Sequence, residues 1–132
     1  MSREFLNVTD TELSILEVLW DADSASIGEI TQRLYDKRTT SRYSTVQKLL
    51  ERLEAKGCVR RDRKDFVHRF TASIAREDLI SHRLQEVAEK LCDGSFTPLL
   101  LHLVEATKLS PQDRKRLLEL IDASQTRGRK SN

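Results

Sequence analysis

The segment from residue 41 to residue 71 limits most strongly how this chain can fold. Its first half places apolar side chains at i, i+3, i+4 and i+7, the spacing of one helix face, at Val46, Leu49, Leu50 and Leu53. Gly57 then predicts the end of this helix, because glycine adopts the left-handed conformation at little cost. Since the apolar side chains occupy one face of this helix, its opposite face is polar and can contact a partner.

A basic hairpin is predicted directly after the glycine. Two short strand-like runs, at about 58–62 and 66–71, flank the charged turn Arg63-Lys64-Asp65. A helix, a glycine stop and a basic hairpin in this order are typical of a winged helix-turn-helix. In that fold the helix enters the major groove of DNA, and the hairpin contacts the neighbouring backbone.

Two capping boxes predict the starts of the preceding helices. Thr9 with Glu12 begins the first helix, and Ser26 with Glu29 begins the second. For the third helix we predict residues 43–56, with Ser44 and Gln47 as a capping box, or a start one turn earlier at Ser41. Three helices therefore precede the hairpin, as a winged helix requires.

Apolar periodicity also predicts three helices after the hairpin. The first covers about 76–92, the second begins with Thr97 as N-cap and Pro98 at N1, and the third follows the cap Ser110-Pro111. The second is apolar nearly all the way round, so it must be buried on more than one side. A second copy of the chain would supply this cover, through a predicted dimer surface of Leu84, Val87, Leu91, Leu99, Leu100, Leu101, Leu103, Val104, Leu117 and Ile121.

These patterns predict a mostly α fold with a small β-hairpin wing, divided into three parts. Residues 1–72 form a winged-helix DNA-binding domain and residues 73–124 a helical dimerisation domain. A flexible joint is expected near residues 72–76, and residues 125–132 are predicted to be a disordered basic tail.

Charge is unevenly distributed along the chain. Residues 1–36 hold two basic and eight acidic side chains, whereas residues 37–70 hold eleven basic and four acidic ones. Positive charge thus concentrates on the predicted recognition helix and wing, as a surface that binds a polyanion requires. The candidate DNA-binding residues, for base edges or phosphates, are Arg42, Ser44, Thr45, Gln47, Lys48, Arg52, Arg63 and Lys64.

Other classes of function have little support in the sequence. No run approaches the roughly 20 apolar residues of a membrane helix, and only two cysteines occur, without a CxxC pair. We therefore expect a cytoplasmic protein without membrane insertion. The three histidines lack metal-ligand spacing, and no catalytic motif is present, so we expect no enzyme activity, no metal and no cofactor.

Two longer motifs resemble a known family. The segment Thr11–Trp20 follows the pattern E-L-x-I-L-x-x-L-W, and Thr45–Gly57 follows T-V-x-x-L-L-x-R-L-x-x-K-G. Gly94-Ser95-Phe96 and Leu109-Ser110-Pro111 extend the similarity over roughly residues 8–122. With these spacings the chain resembles the penicillinase-repressor family (the BlaI/MecI/CopY group).

The resemblance implies a homodimeric repressor that binds a palindromic operator in double-stranded DNA. Relatives recognise inverted repeats containing TACA and TGTA, and their three C-terminal helices interlock with those of the partner. In some relatives a membrane sensor system acts indirectly, through proteolysis at an Asn-Phe bond. The matching position here is His102-Leu103, which differs from the Asn-Phe bond at both residues. Copper-responsive relatives have a C-terminal cysteine cluster, and this chain has no cysteine after Cys92.

A second hypothesis remains open from the sequence. A winged helix can also serve as a protein-interaction module without sequence-specific DNA binding. The net charge of +7 over residues 37–70 is the feature against it.

Overall fold

The computed structural model describes the backbone of residues 7–131 and the side chains of residues 7–124. In chain order the elements are α1 (Asp10–Ala22), α2 (Ile27–Leu34), α3 (Thr40–Ala55), β1 (Val59–Asp62), β2 (Arg69–Ala72), α4 (Arg76–Leu91), α5 (Thr97–Ala106) and α6 (Pro111–Ser131). This order confirms the predicted fold class, which is mostly helical with one small β-hairpin.

Both predicted capping boxes are formed. The Thr9 hydroxyl accepts from the Glu12 amide at 3.2 Å, and the Glu12 carboxylate accepts from the Thr9 amide at 2.9 Å. Ser26 and Glu29 make the same reciprocal pair at the start of α2. The starts of α1 and α2 are therefore fixed by side chains close to them in sequence.

Helix α3 begins three residues before the predicted residue 43 and one residue before the alternative start at Ser41. α3 starts at Thr40, with Thr39 as its N-cap, and the Thr39 hydroxyl accepts a hydrogen bond from the Arg42 amide. The segment contains several residues able to cap a helix, and the first of them does so. As a result Ser44 and Thr45 lie in the second turn and not at the helix end.

The hairpin is shorter than predicted on its second strand. β1 and β2 pair antiparallel, with Asp62 opposite Arg69 and Val59 opposite Ala72. β2 therefore begins at Arg69 and not at residue 66, and six residues form the wing loop. On its other edge β2 bridges the α1–α2 loop, because Ala25 and Phe70 exchange two backbone hydrogen bonds of 3.1 and 2.8 Å.

One apolar core holds these elements together. It joins α1, α2, α3 and the hairpin, and its fully buried apolar side chains are Ile15, Leu16, Leu19, Ile30, Val46, Leu50, Leu53, Cys58 and Phe70. The three from α3 lie on one helix face, so the opposite face is free to meet a ligand.

The first compact unit extends into α4. It ends at Arg83, and the second unit begins at Leu84. Leu79 is buried, the Trp20 Nε1 donates to the Ile74 carbonyl at 2.9 Å, and the Arg83 guanidinium donates to the Val8 carbonyl at 2.5 Å. These contacts attach the first two turns of α4 to the winged helix. The domain boundary predicted between residues 72 and 73 concerns which part of the chain folds independently, and it stays a prediction.

The second unit comprises the rest of α4, with α5 and α6. The N-cap of α5 is Phe96, without a side-chain cap, so Thr97 is inside the helix and not its cap as predicted. Ser110 caps α6, since its hydroxyl accepts from the Asp113 amide at 3.1 Å. α6 is helical to Ser131, which differs from the disordered tail predicted for residues 125–132, and Asn132 lies outside the described residues. Within the described residues no helix is long and apolar enough to cross a bilayer.

Candidate nucleic-acid interface

The outward face of α3 is polar along its whole length. Thr45, Lys48 and Arg52 recur at intervals of three and four residues, and all three are exposed. Gln47 is exposed beside Lys48, whereas Ser44 is half-buried. From Thr45 to Arg52 the stripe rises about 10 Å along α3, which is about two helical turns.

One of these candidates is partly engaged within the protein. The Thr45 hydroxyl donates to the Ser41 carbonyl at 3.0 Å, which leaves its lone pairs and its methyl group for an outside partner. Because its hydroxyl proton is already donated, Thr45 is better suited to contact a thymine methyl group, or a base through water, than to donate directly to a base.

Arg42 has a structural task that the sequence did not indicate. Its guanidinium lies 5.1 Å from the centre of the Tyr35 ring and donates to the Lys37 carbonyl at 2.9 Å. These contacts hold the turn between α2 and α3. The half-buried Arg42 therefore positions the start of α3, and it keeps N–H groups for a phosphate because guanidinium has five.

The two wing candidates are exposed beside the end of α3. Arg63 and Lys64 both follow β1, and the Arg63 guanidinium comes within 4.0 Å of the Glu54 carboxylate. Arg61 pairs with the same carboxylate at 3.1 Å. Two arginines thus neutralise Glu54 of α3, and this acidic group does not repel a phosphate there.

The base of the wing is braced by a residue that was not singled out from the sequence. Arg69 donates to the Ser24 hydroxyl at 3.2 Å, to the Ser24 carbonyl at 3.1 Å and to the Glu29 carboxylate at 2.7 Å. No spacing rule indicates this pairing, since Arg69 lies at least 40 residues from its partners in sequence. Its effect is to fix β2 against the start of α2.

A buried ion pair holds the end of α3, and sequence reasoning also missed it. The Lys56 ammonium lies 2.6 Å from the Glu12 carboxylate and donates to the Asn7 carbonyl at 2.8 Å. The Glu12 side chain is fully buried, and its second oxygen has no hydrogen-bond partner among the described residues. Burial raises the pKa of the Glu12 carboxyl, but the hydrogen bonds from Lys56 and Thr9 outweigh it, so the pKa lies below its ordinary value.

The cysteines and histidines give no metal centre within the described residues, where no three potential ligands come together. Burial raises the pKa of the Cys58 thiol to about 11. At neutral pH this thiol is therefore protonated and a poor nucleophile. Cys58 acts as a small residue of the apolar core.

The second unit exposes most of its apolar side chains. Among the described residues 15 large hydrophobic side chains are exposed, and 11 of them lie between Leu84 and Ile121. α5 has no buried residue at all. An open apolar groove of about 790 Å³ runs between α5 and α6, lined by residues that include Leu100, Leu101, Val104, Leu117 and Ile121.

The other predicted dimer residues are distributed in the same unit. Leu84, Val87, Leu91 and Leu103 are exposed, and Leu99 is half-buried. The His102-Leu103 bond, which matches the family's cleavage position, lies in the middle of α5 with both residues exposed. The structure thus brings the predicted dimer residues into one helical unit that buries none of them fully.

The winged-helix unit and the helical unit occur together in known proteins. The sequence model of the penicillinase repressor family matches residues 8–123 of this chain. The chain belongs to the penicillinase repressor family. This match confirms the resemblance that the two longer motifs indicated, and it includes both compact units.

Several relatives in the family have similar lengths. A penicillinase repressor of Bacillus licheniformis is 24% identical over 125 residues, covering 95% of this chain and 97% of the relative. A transcriptional regulator BlaI of Mycobacterium tuberculosis is 28% identical over 115 residues, or 84% of this chain and 83% of the relative. The methicillin resistance regulatory protein MecI of Mammaliicoccus sciuri is 21% identical and covers 92% of this chain and 98% of the relative.

A solved structure also matches part of the chain. It is the solution structure of the DNA-binding domain of the repressor BlaI, which is 28% identical to this chain. The match has a TM-score of 0.48 and covers 56% of this chain and 89% of the solved one.

Proposed function

We propose that this penicillinase repressor family member is a dimeric transcriptional repressor that binds a palindromic operator. The observation that supports this most directly is the exposed stripe of Thr45, Lys48 and Arg52, backed by a buried apolar face. Relatives are named as repressors and regulators. A polar helix face beside a cationic wing is the surface that a winged helix presents to duplex DNA.

The residues divide into two roles. Lys48 and Gln47 donate to base edges in the major groove and determine sequence preference. Arg52, Arg63 and Lys64 donate to phosphates, which determine affinity and register but not sequence. Arg42 adds a phosphate contact from its fixed position at the turn.

The second copy of the chain supplies the missing cover for the helical unit. α5 buries no side chain within one chain, and the groove between α5 and α6 is open and apolar. Exposed apolar surface of this extent favours association with a complementary surface. A symmetric dimer would bury the same leucines from both chains and place two winged helices on a palindrome.

The release signal, in this proposal, acts on the helical unit. Any event that separates the two copies leaves each winged helix with a single half-site, and the gain from joint binding is lost. Cleavage at His102-Leu103 would be one such event, because this bond lies in α5. A sensor system in the membrane would act on the repressor only indirectly.

Selection from a random duplex library tests the proposal. The full-length protein should enrich an inverted repeat, and fluorescence anisotropy at 50 and 200 mM salt should show tighter binding to it than to a scrambled duplex. Affinity should fall steeply with salt on both duplexes, because phosphate contacts release counterions. Equal binding to both duplexes would contradict the proposal and favour the winged helix as a protein-interaction module.

Substituting Lys48 and Arg63 should separate the two roles. Lys48→Ala should remove about 1–3 kcal/mol of discrimination at the base pair that it reads, because a base-edge donor is lost. Arg63→Ala should weaken all sequences alike and reduce the slope of log affinity against log salt by about 1 for each protomer. Both are measured by anisotropy on the selected duplex and its single-base variants. A uniform loss from Lys48→Ala would assign that residue to the backbone instead.

A further inference from the structure

The wing loop between β1 and β2 exposes an aromatic ring. Phe66 has a relative exposed area of 103%, and Val67 beside it has 58%. Phe70, four residues further on, is fully buried, which shows that the hairpin can bury a phenylalanine. Phe66 is left outside because β2 begins only at Arg69.

The loop is held in position on both sides. The Lys64 amide donates to the Asp62 carboxylate at 2.9 Å, which fixes the first residues of the loop. Arg69 fixes its other end through the hydrogen bonds to Ser24 and Glu29. The exposed ring therefore belongs to a loop whose two ends are anchored to the folded unit.

The charge around the ring favours one class of partner. Residues 60–69 contain five basic and two acidic side chains, and Arg63 and Lys64 lie in the same loop as the aromatic residue, separated from it by Asp65. Arg63 also lies within 4.0 Å of Glu54 on α3, so the loop begins beside the helix that enters the major groove. A phenyl ring in a loop of net positive charge suits the minor groove, where phosphates flank stacked bases.

We propose that Phe66 is an apolar wedge that the wing inserts into the minor groove beside each half-site, against a base step that it partly unstacks. This inference rests on the proposed operator binding. Insertion of phenylalanine between base steps is a known way to bend a duplex toward a protein. The wing then reads the flexibility of the flanking sequence, in addition to its phosphates.

The test compares wild type, Phe66→Ala and Phe66→Leu on the selected duplex, with 2-aminopurine placed at successive flanking positions. Wild type should raise the fluorescence at one position on each side, because unstacking relieves quenching. Phe66→Ala should abolish this rise. It should also weaken binding about tenfold for each protomer, because the variant loses a phenyl group that is buried in the complex. Phe66→Leu should restore part of both effects.

A salt titration separates the wedge from a phosphate contact. Phe66→Ala should leave the slope of log affinity against log salt unchanged, since a phenyl group releases no counterions, whereas Arg63→Ala should lower it. A changed slope for Phe66→Ala would overturn the wedge. The exposed ring supports no core, so unfolding of the variant by urea should match wild type.

Three other outcomes decide against the proposal. Equal binding by wild type and Phe66→Ala, or a wild-type complex without any 2-aminopurine change, would overturn the wedge while operator binding stands. Vesicles of phosphatidylserine and phosphatidylcholine that bind wild type but not Phe66→Ala, together with unchanged DNA binding, would assign the ring to a lipid surface. Failure of wild type to prefer the selected duplex would instead contradict the proposed function itself.

Discussion

Replacing Lys56 with alanine should lower the free energy of unfolding by about 3–5 kcal/mol, because the Glu12 carboxylate would remain buried without its cation. Glu12 is fully buried and lies 2.6 Å from the Lys56 ammonium, and its second oxygen is already without a partner among the described residues. A loss of this size is a large part of the stability of a small domain.

The measurement is urea unfolding followed by the fluorescence of Trp20, the single tryptophan of the chain, which lies in the winged-helix unit. Arg33→Ala is the matched control, since its pair with Asp21 is exposed on both sides and should contribute about 0–1 kcal/mol. The double variant Glu12→Gln with Lys56→Met should recover much of the loss, because neither charge then stays buried alone. Equal losses for Lys56→Ala and Arg33→Ala would contradict this account.

Acid should weaken the same unit. The pKa of the Glu12 carboxyl in the folded chain lies below its ordinary value of 4.5, because hydrogen bonds from Lys56 and Thr9 outweigh burial. Between the folded and unfolded values the unfolded chain binds more protons. The stabilisation is therefore complete above about pH 4.5 and is lost as the pH falls through the folded value.

Urea midpoints between pH 7 and pH 3 should show this loss, and Glu12→Gln should make the profile flatter. Some slope should remain, because hydrogen bonds from Ser26 and Arg69 also lower the pKa of Glu29. An unchanged profile in Glu12→Gln would mean that other carboxyl groups cause the acid loss.

Replacing Leu101 with glutamate should convert the proposed dimer to monomers and weaken binding to the proposed operator by about 10²–10⁴-fold. Leu101 is 57% exposed on α5 and lines the apolar groove, so a carboxylate there would be buried without a partner in the dimer. A monomer occupies one half-site at a time and loses the gain from joint binding.

Sedimentation equilibrium measures the assembly state, and anisotropy on the selected duplex measures the affinity. Val67→Glu is the matched control for assembly, since it places the same charge on an exposed apolar residue of the other unit. Unchanged Trp20 fluorescence would show that the winged helix of Leu101→Glu stays folded. A Leu101→Glu protein that remained dimeric would place the interface elsewhere.

Local rules predicted the helix starts that depend on neighbouring residues. The capping boxes of Thr9 and Ser26 involve side chains three residues apart, and both are formed. The predicted start of α3 at residue 43 was three residues too late. Sequence alone does not rank the residues that are able to cap this helix, which are Thr39, Thr40, Ser41 and Ser44. The strand-like run at about 66–71 predicted a longer second strand, but the pairing with β1 extends only from Arg69 to Ala72.

Such local rules do not predict contacts between residues that are distant in sequence. Lys56 and Glu12 are 44 residues apart, and each was noted only within a local motif. The hydrogen bonds of Arg83 to Val8 and of Arg69 to Ser24 also join distant residues, which are 75 and 45 positions apart. The candidate DNA face was predictable because it depends on the period of one helix, whereas the bracing around it depends on tertiary packing.

The edges of the small sheet have a consequence for aggregation. β2 pairs with β1 on one side, and on the other side Phe70 is already paired with Ala25, which interrupts that edge as a template for a further strand. The remaining edge, along β1, carries Arg60, Arg61 and Asp62, and charges on an edge strand discourage pairing with another chain. Pairing of the wing with the same strand of another copy is thereby disfavoured.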